Sequence, residues 1–234
     1  MKKVGFIGAS DKTDLITYVA KVLEQIGKRV IVVDATIMQK AKYIVPVIHP
    51  TKTYITEFEG IDVAVGFTDM DEIRGYLGLA REDELNYDYA IIDVDTYEAY
   101  VNFGCQNAIK NYFVTSFDVY SLKKGIEALS GMEQTVTLTK VLFSRDTSVE
   151  EDEYLEFLAM GSNVEWEKEK IYFPTDRGDQ QIIIQNQRTA RINFKNLSTY
   201  YKGGLQYLVE GIFEQEGLNM GDVAKVIRKI EKGA

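Results

Sequence analysis

Apolar runs and helical apolar patterns alternate along the first part of the chain. Lys3 to Ile7 is a short apolar run, and from Lys12 to Ile26 the apolar residues recur at helical spacing. Val30 to Val33 is a second apolar run, which ends in Asp34. This order predicts a strand, a loop, a helix and a second, parallel strand. Because such a unit has a right-handed crossover, the loop from Gly8 to Asp11 is expected at the carboxyl edge of a sheet, where open α/β folds bind ligands.

The alternation continues through the rest of the chain. Further strands are predicted at Tyr89 to Ile92, Asn111 to Thr115, Thr135 to Phe143 and Ile182 to Ile184, with a polar loop from Thr175 to Gln181 before the last. The segment from Tyr54 to Phe67 contains two short apolar stretches. Helices are predicted at Asp69 to Leu77, Leu122 to Leu129, Glu150 to Met160 and Leu197 to Phe213. Thr36 to Thr53 is the least regular part of the first half, and its His49 is interpreted as an incidental loop residue. The pattern predicts an α/β fold.

Composition restricts the class of protein. The chain has 234 residues, of which 45% are apolar and 27% are charged, which is typical of one soluble body. No run of about 18 apolar residues exists, and the start lacks the apolar region of a signal peptide. A single cysteine favours a reducing cytoplasm, and one histidine with one cysteine leaves few ligands for zinc. The net charge of −9 argues against non-specific DNA binding.

The opening unit resembles that of the MinD/ParA group of deviant-Walker P-loop ATPases, whose first loop reads roughly GKGGxGKT. Three positions match that loop, namely Gly8, Lys12 and Thr13. Four positions depart from it: Phe6 and Ile7 stand at the first glycine and the signature lysine, and Ala9 and Asp11 stand at two further glycines. A carboxylate at position 11 opposes phosphate binding, so the resemblance implies weak binding.

Three later positions extend the resemblance. Tyr87 to Asp93 resembles the strand that ends in the Walker B aspartate, which holds Mg²⁺ through water. Ser144, followed by Arg145, stands where the family has the asparagine that reads adenine, so the usual base contact is missing or weaker. Pro174 ends a stretch that resembles the family's strand before the loop that passes the base.

The resemblance implies a doubly wound, mostly parallel sheet of the P-loop NTPase type (the SIMIBI, MinD/ParA-like fold) over residues 1–215, followed by an amphipathic helix in 216–234. It implies a spatial organiser for partitioning or polar localisation. The degenerate Walker A loop, with its four departures, is similar to those of the TadZ/CpaE pilus-localisation factors. The implied ligand is ATP or ADP with Mg²⁺. Its implied nucleotide-binding residues are Gly8, Ser10, Asp11, Lys12, Thr13, Ser144 and Pro174. Thr13 and, through water, Asp93 would hold the metal, and Asp34 is the catalytic candidate near the attacking water.

Other interpretations of these residues stay open. Asp11 or Ser10 could simply cap the first helix, with Lys12 a solvated residue of its first turn, and Asp93 could cap the helix that follows it. At the level of function, the alternatives are a nucleotide-free pseudo-ATPase scaffold and an active ATPase. A dinucleotide oxidoreductase ranks lowest, because the glycines at 5 and 8 lack the spacing of the dinucleotide fingerprint.

The tail carries an amphipathic pattern. Val223, Val226, Ile227 and Ile230 follow helical spacing, and four basic residues flank them. MinD-type proteins end in a helix that binds anionic membrane, so peripheral membrane contact is one interpretation, and docking on the protein's own body or on a partner is the other. The partners expected overall are proteins, including a second copy of the chain, and direct DNA binding is not expected.

Overall fold

The structure is a computed structural model that describes residues 1–47, 51–144, 150–174, 176–214 and 222–233. His49 and Arg145 lie outside these ranges, so the interpretations of both residues stay predictions.

One sheet of eight strands forms the centre of the molecule. In chain order the strands are β1 (Lys2–Ile7), β2 (Val30–Asp34), β3 (Tyr54–Phe58), β4 (Ile61–Val65), β5 (Tyr89–Val94), β6 (Lys110–Ser116), β7 (Val136–Ser144) and β8 (Val164–Pro174). Their spatial order is β3-β4-β2-β5-β1-β6-β7-β8. Every neighbouring pair is parallel except β3 and β4, which form a hairpin. The predicted doubly wound, mostly parallel sheet is confirmed.

Helices cover both faces of the sheet. They are α1 (Thr13–Gln25), α2 (Ala41–Ile44), α3 (Met70–Tyr76), α4 (Tyr97–Asn102), α5 (Val119–Ser130), α6 (Glu150–Leu158), α7 (Arg177–Thr189), α8 (Thr199–Glu214) and α9 (Val223–Glu231), with a 3₁₀ turn at Cys105–Asn107. Apolar residues of α1, α8 and α9 share one core with one face of the sheet, and those of α3, α4, α5 and α6 share a second core with the other face. The two cores are the result of strands that are apolar on both faces.

The strand order places the ends of β1, β2 and β5 together. β1 lies between β5 and β6, and the chain leaves β1 towards one side of the sheet and returns through β6 to the other. Asp34 and Asp93 are paired in the register of β2 and β5, and Phe6 pairs with Asp93 across β1 and β5. The loop after β1 therefore lies where the direction of winding changes, which is the usual ligand-binding place of such sheets.

One predicted strand and one predicted loop are wrong. Residues 182–184 lie inside helix α7, and so do residues 177–181 of the predicted polar loop. Buried Asp179, half-buried Ile182 and Ile183, and buried Asn186 follow helical spacing. Because the two outer members of this set are polar, counting apolar residues alone hides the period. The Asn186 amide donates to the Tyr18 hydroxyl on α1 and to a backbone carbonyl, so tertiary contacts satisfy the buried polar group.

The tail helix packs on the body of the protein. Val223, Ile227 and Ile230 of α9 are buried in the core that α1 and α8 share. The Lys202 ammonium of α8 lies 2.8 Å from a Glu231 carboxylate oxygen at the end of α9. The apolar face that would enter a membrane is therefore covered in this structure, as the docking interpretation requires, and membrane contact stays a prediction. Among the described residues, no helix is both long enough and apolar enough to cross a bilayer.

Candidate functional site

The loop after β1 has a backbone that only glycine fits at its first position. Gly8 has φ of +139°, and its N–H donates to the Val94 carbonyl at 3.1 Å. A Cβ at Gly8 would lie 2.1 Å from the Val114 carbonyl oxygen. The loop is thus threaded between the ends of β5 and β6, and a side chain at this position would collide with backbone.

Lys12 turns back into the loop that precedes it. Its side chain is 2% exposed, and its ammonium donates to the Gly8 carbonyl at 2.7 Å and lies 2.7 Å from Asp93 Oδ1. The interpretation of Lys12 as a solvated first-turn residue is therefore wrong. Burying an unpaired ammonium group would be very unfavourable. The carboxylate of Asp93 and the carbonyl of Gly8 therefore stabilise the charge of Lys12 at this position.

Asp93 is buried at the end of β5 beside Lys12. Burial raises the pKa of Asp93 to about 7; Lys12 opposes this shift and the neighbouring Asp34 adds to it. The Lys12 ammonium lies close enough to Oδ1 to form an ion pair with the carboxylate. Asp93 does not cap the next helix: Thr96 does, since its hydroxyl accepts from the Ala99 N–H at 3.2 Å.

Asp34 organises residues 35–40, which we call the covering loop. Its Oδ1 accepts from the Thr36 N–H at 3.1 Å and from the Thr36 hydroxyl at 2.6 Å, and its Oδ2 accepts from the Ala41 N–H at 2.9 Å. Asp95 accepts from the Ile37 N–H at 3.1 Å. These bonds tie the covering loop to the ends of β2 and β5, and the catalytic role of Asp34 stays a prediction.

The covering loop places Lys40 next to the loop after β1. The Lys40 ammonium lies 2.5 Å from Asp11 Oδ2 and 2.7 Å from Asp14 Oδ2. The carboxylate that replaces a glycine of the family loop is therefore paired with a lysine. Sequence reasoning missed Lys40, Thr36 and Asp95, because their positions depend on the path of a segment that has no periodic pattern. The one available signal was the sequence Asp93-x-Asp95, with two acids at a strand end.

The remaining loop residues have different surroundings. The Ser10 hydroxyl accepts from the Ser116 N–H at 2.9 Å, which fixes the loop to the end of β6. Thr13 is buried as the first residue of α1, and its N–H lies 3.3 Å from Asp11 Oδ1. Among the described residues, this long hydrogen bond is the one contact between Asp11 and the start of α1 that could represent the predicted capping. Lys12, at the N-cap position of α1, makes no side-chain capping hydrogen bond.

Two cavities meet at this edge of the sheet. The first, of about 220 Å³, is lined by residues 8–13, by covering-loop residues, and by Tyr43, Asp93 and Asp95. The second, of about 390 Å³, is lined by the ends of β7 and β8, including Pro174, and by α7. Asp11 and Lys40 line both cavities. Ser144 is paired with Pro174 in the register of β7 and β8, next to the second cavity.

The donor set of the first cavity fits a magnesium-bound phosphate. The close approach at Gly8 leaves room for backbone rather than side chain, Lys12 provides a positive charge, and Asp93 and the Thr13 hydroxyl are the hard oxygen donors that Mg²⁺ prefers. Asp11 is the member that does not favour an anion, and Lys40 partly neutralises it.

The fold, with its loop at the carboxyl end of β1, is that of ParA and MinD proteins of known structure. Comparison with protein-family models gives no match, and neither does comparison with curated protein sequences. Solved structures do match. A ParA family ATPase from Chlorobium tepidum is 15% identical, with a TM-score of 0.53 over 93% of this chain and 99% of that chain.

Two further similar structures represent other branches of this fold. MinD in the MinC:MinD cell division complex of Aquifex aeolicus is 13% identical, with a TM-score of 0.57 over 94% of this chain and 97% of that one. A variant of Cyanothece McdA in complex with ATP is 14% identical, with a TM-score of 0.54 over the same shares. At these identities the similarity establishes the fold.

Proposed function

We propose that this protein is a MinD/ParA-like spatial organiser that binds an adenine nucleotide weakly, with Mg²⁺. The observation that carries the proposal is the buried pair of Lys12 and Asp93 beneath the Gly8 loop. Among the solved structures of this fold, McdA was determined with ATP bound.

The charges of the first cavity imply that the nucleotide enters with its metal. Three carboxylates, those of Asp11, Asp93 and Asp95, and two ammonium groups, those of Lys12 and Lys40, are in its lining. The carboxylates offset the two ammonium groups even if Asp93 is partly protonated, so the cavity has little net attraction for a bare phosphate chain. Magnesium would supply the missing positive charge, held by the Thr13 hydroxyl and, through water, by Asp93. The chain's own residues would bind and orient the phosphates through the loop N–H groups and Lys12.

Turnover stimulated by a lysine from a second subunit is not part of this proposal. Ile7 stands at the position of the signature lysine, and it is fully buried in the core that contains α4 and α5. An apolar side chain inside the core offers no charge to a neighbouring subunit. We infer slow hydrolysis at most, with Asp34 the carboxylate to test for a catalytic role.

Calorimetric titration with MgADP and MgATP tests nucleotide binding. We expect weak binding that disappears when EDTA removes the metal. Thr13→Val should weaken binding, since it removes the proposed metal-binding hydroxyl and keeps the side-chain shape, whereas Thr189→Val, at an exposed position of α7, should not. Absence of both heat and thermal shift at millimolar MgATP would defeat the proposal.

The organising role requires a macromolecular partner, and we propose that it docks near the first cavity. Large apolar side chains of the covering loop and of α2 are highly exposed there, namely Ile37, Met38 and Tyr43. Such a patch is typical of an interaction surface. We propose a second copy of the chain as this partner, and sedimentation velocity with and without MgADP tests this. Ile37→Ser with Met38→Ser should abolish any dimer, and a dimer that persists in this variant would place the interface elsewhere.

A nucleotide-free scaffold is the second candidate function. The observation that favours it is the Asp11–Lys40 pair, which already satisfies two charges at the entrance of the cavity. A partner captured equally well by the wild type and by the Thr13→Val variant, in a protein that takes up no MgADP, would establish the scaffold.

A further inference from the structure

We propose that Lys40 is a phosphate-binding residue of the first cavity, provided by the same chain that provides the loop. The proposal rests on the nucleotide binding proposed above and assigns to that site a second cation. It follows from where the covering loop places the Lys40 ammonium and from the strain of the backbone that places it. It follows also from the charges of the lining, where Lys12 is the one other cation among the described residues.

The backbone on both sides of Lys40 is fixed by hydrogen bonds. Gln39 N–H donates to the Thr36 hydroxyl at 3.0 Å, and Ala41 N–H donates to Asp34 Oδ2 at 2.9 Å. Gln39 itself has φ of +46°, in the left-handed region that residues with a side chain rarely adopt. Strained backbone of this kind persists where the surrounding structure enforces it, and it is concentrated at binding sites. Here the turn directs the next residue, Lys40, towards the Gly8 loop.

The ammonium group of Lys40 is charged, and one of its two carboxylate partners is exposed to solvent. Its partners Asp11 and Asp14 belong to the loop and to the first turn of α1, and the Asp11 side chain is more than half exposed. Burial lowers the pKa of Lys40, but Asp14 and Asp11 more than offset this and raise it above the ordinary value. An exposed ion pair is weak, so a phosphate group can replace Asp11 as the partner of Lys40.

A second cation would add to the positive charge that Lys12 provides in this cavity. Among the described residues of its lining, Lys12 and Lys40 are the cations, and Lys12 is already held by Asp93 and by the Gly8 carbonyl. Because both cations come from one chain, nucleotide affinity should not depend on protein concentration.

The test compares two lysines of the same segment in the full chain. MgADP is titrated into Lys40→Met and into Lys42→Met, whose side chain lines neither cavity and whose loss changes the net charge equally. A charged hydrogen bond corresponds to about a ten- to hundredfold change in dissociation constant. We expect that loss for Lys40→Met, little change for Lys42→Met, and recovery in Lys40→Arg. Thermal melts check that each variant is folded.

A double-variant cycle separates contact with phosphate from simple neutralisation of Asp11. In an Asp11→Asn background there is no carboxylate at position 11 to neutralise. If Lys40 contacts the phosphates, Lys40→Met still weakens binding in that background. If its effect vanishes there, Lys40 only screens Asp11 and the proposal is overturned. Equal affinities of Lys40→Met and Lys42→Met overturn it too. Failure of the wild type to bind MgADP overturns the proposed nucleotide function together with it, so the two failures are distinguishable.

Discussion

Replacing Asp11 with asparagine should tighten nucleotide binding. Asp11 stands at a position where the related loops have glycine, and its carboxylate lies at the entrance of the first cavity. The asparagine side chain would keep the Oδ1 atom that lies 3.3 Å from the Thr13 N–H, so the loop should keep its shape while losing a negative charge.

The size of the effect follows from the charges around Asp11. A unit charge about 5 Å from a phosphate oxygen costs about 1 kcal/mol in water and about 3 kcal/mol at an effective dielectric constant of about 20. The Asp11 side chain is 57% exposed, and the Lys40 ammonium lies 2.5 Å from it. Solvent and Lys40 both screen the carboxylate, so we expect a gain of about 1–2 kcal/mol, which corresponds to about 5- to 30-fold tighter binding.

Calorimetry with MgADP near 0.15 M salt measures this gain, which should grow at lower ionic strength. Asp71→Asn is the matched control. Asp71 is also a partly exposed carboxylate, with a side chain that is 45% exposed and paired with Arg74, but it lies on α3, outside both cavities. An Asp11→Asn protein that binds MgADP no better than the wild type would refute the reasoning, and so would equal gains in both variants.

Three further predictions concern stability. Gly8→Ala should lower the free energy of unfolding by about 3 kcal/mol or more, because φ is +139° and the new Cβ would lie 2.1 Å from a carbonyl oxygen. Gly203→Ala in α8, where a Cβ has open space, should raise the free energy of unfolding by about 0.5–1 kcal/mol. Urea denaturation measures both changes. Ile227→Asp should detach α9, because a carboxylate cannot stay buried against α1 and α8. Amide hydrogen exchange at 223–231 should then become fast, and retained protection of these amides would contradict the docking of α9. The pKa of Asp93 is raised from 3.8 to about 7, so the folded state binds more protons than the unfolded state between these pH values. The contribution of Asp93 to stability should therefore fall as the pH rises from about 4 to about 7, by about 4 kcal/mol at most. Urea titrations should show a flatter pH profile in Asp93→Asn, and an unchanged slope would mean that Asp93 keeps an ordinary pKa.

Helix α7 has a sequence pattern that suggests a strand. Its three consecutive isoleucines suggest a strand when apolar residues alone are counted, yet Asp179 and Asn186 complete a helical period. Both polar residues are buried because partners elsewhere satisfy them: Asp179 accepts from the Ser198 N–H and hydroxyl, and Asn186 donates to Tyr18. A period carried by polar side chains becomes visible only when the residues that bond them are known.

The sequence by itself determined most of the order of strands and helices, with α7 the exception, and it placed the loop at Gly8 at the carboxyl edge of a mostly parallel sheet. These follow from local periodicity and from the right-handed crossover, which act over short stretches of chain. Only the tertiary structure decided how the charges of the site are paired. Lys12 turns inward to Asp93, and Lys40 reaches Asp11 across 29 positions of the sequence. These ion pairs depend on the path of loops whose sequences have no hydrophobic periodicity. The residues that set the charge of the cavity can therefore be identified only from the folded structure.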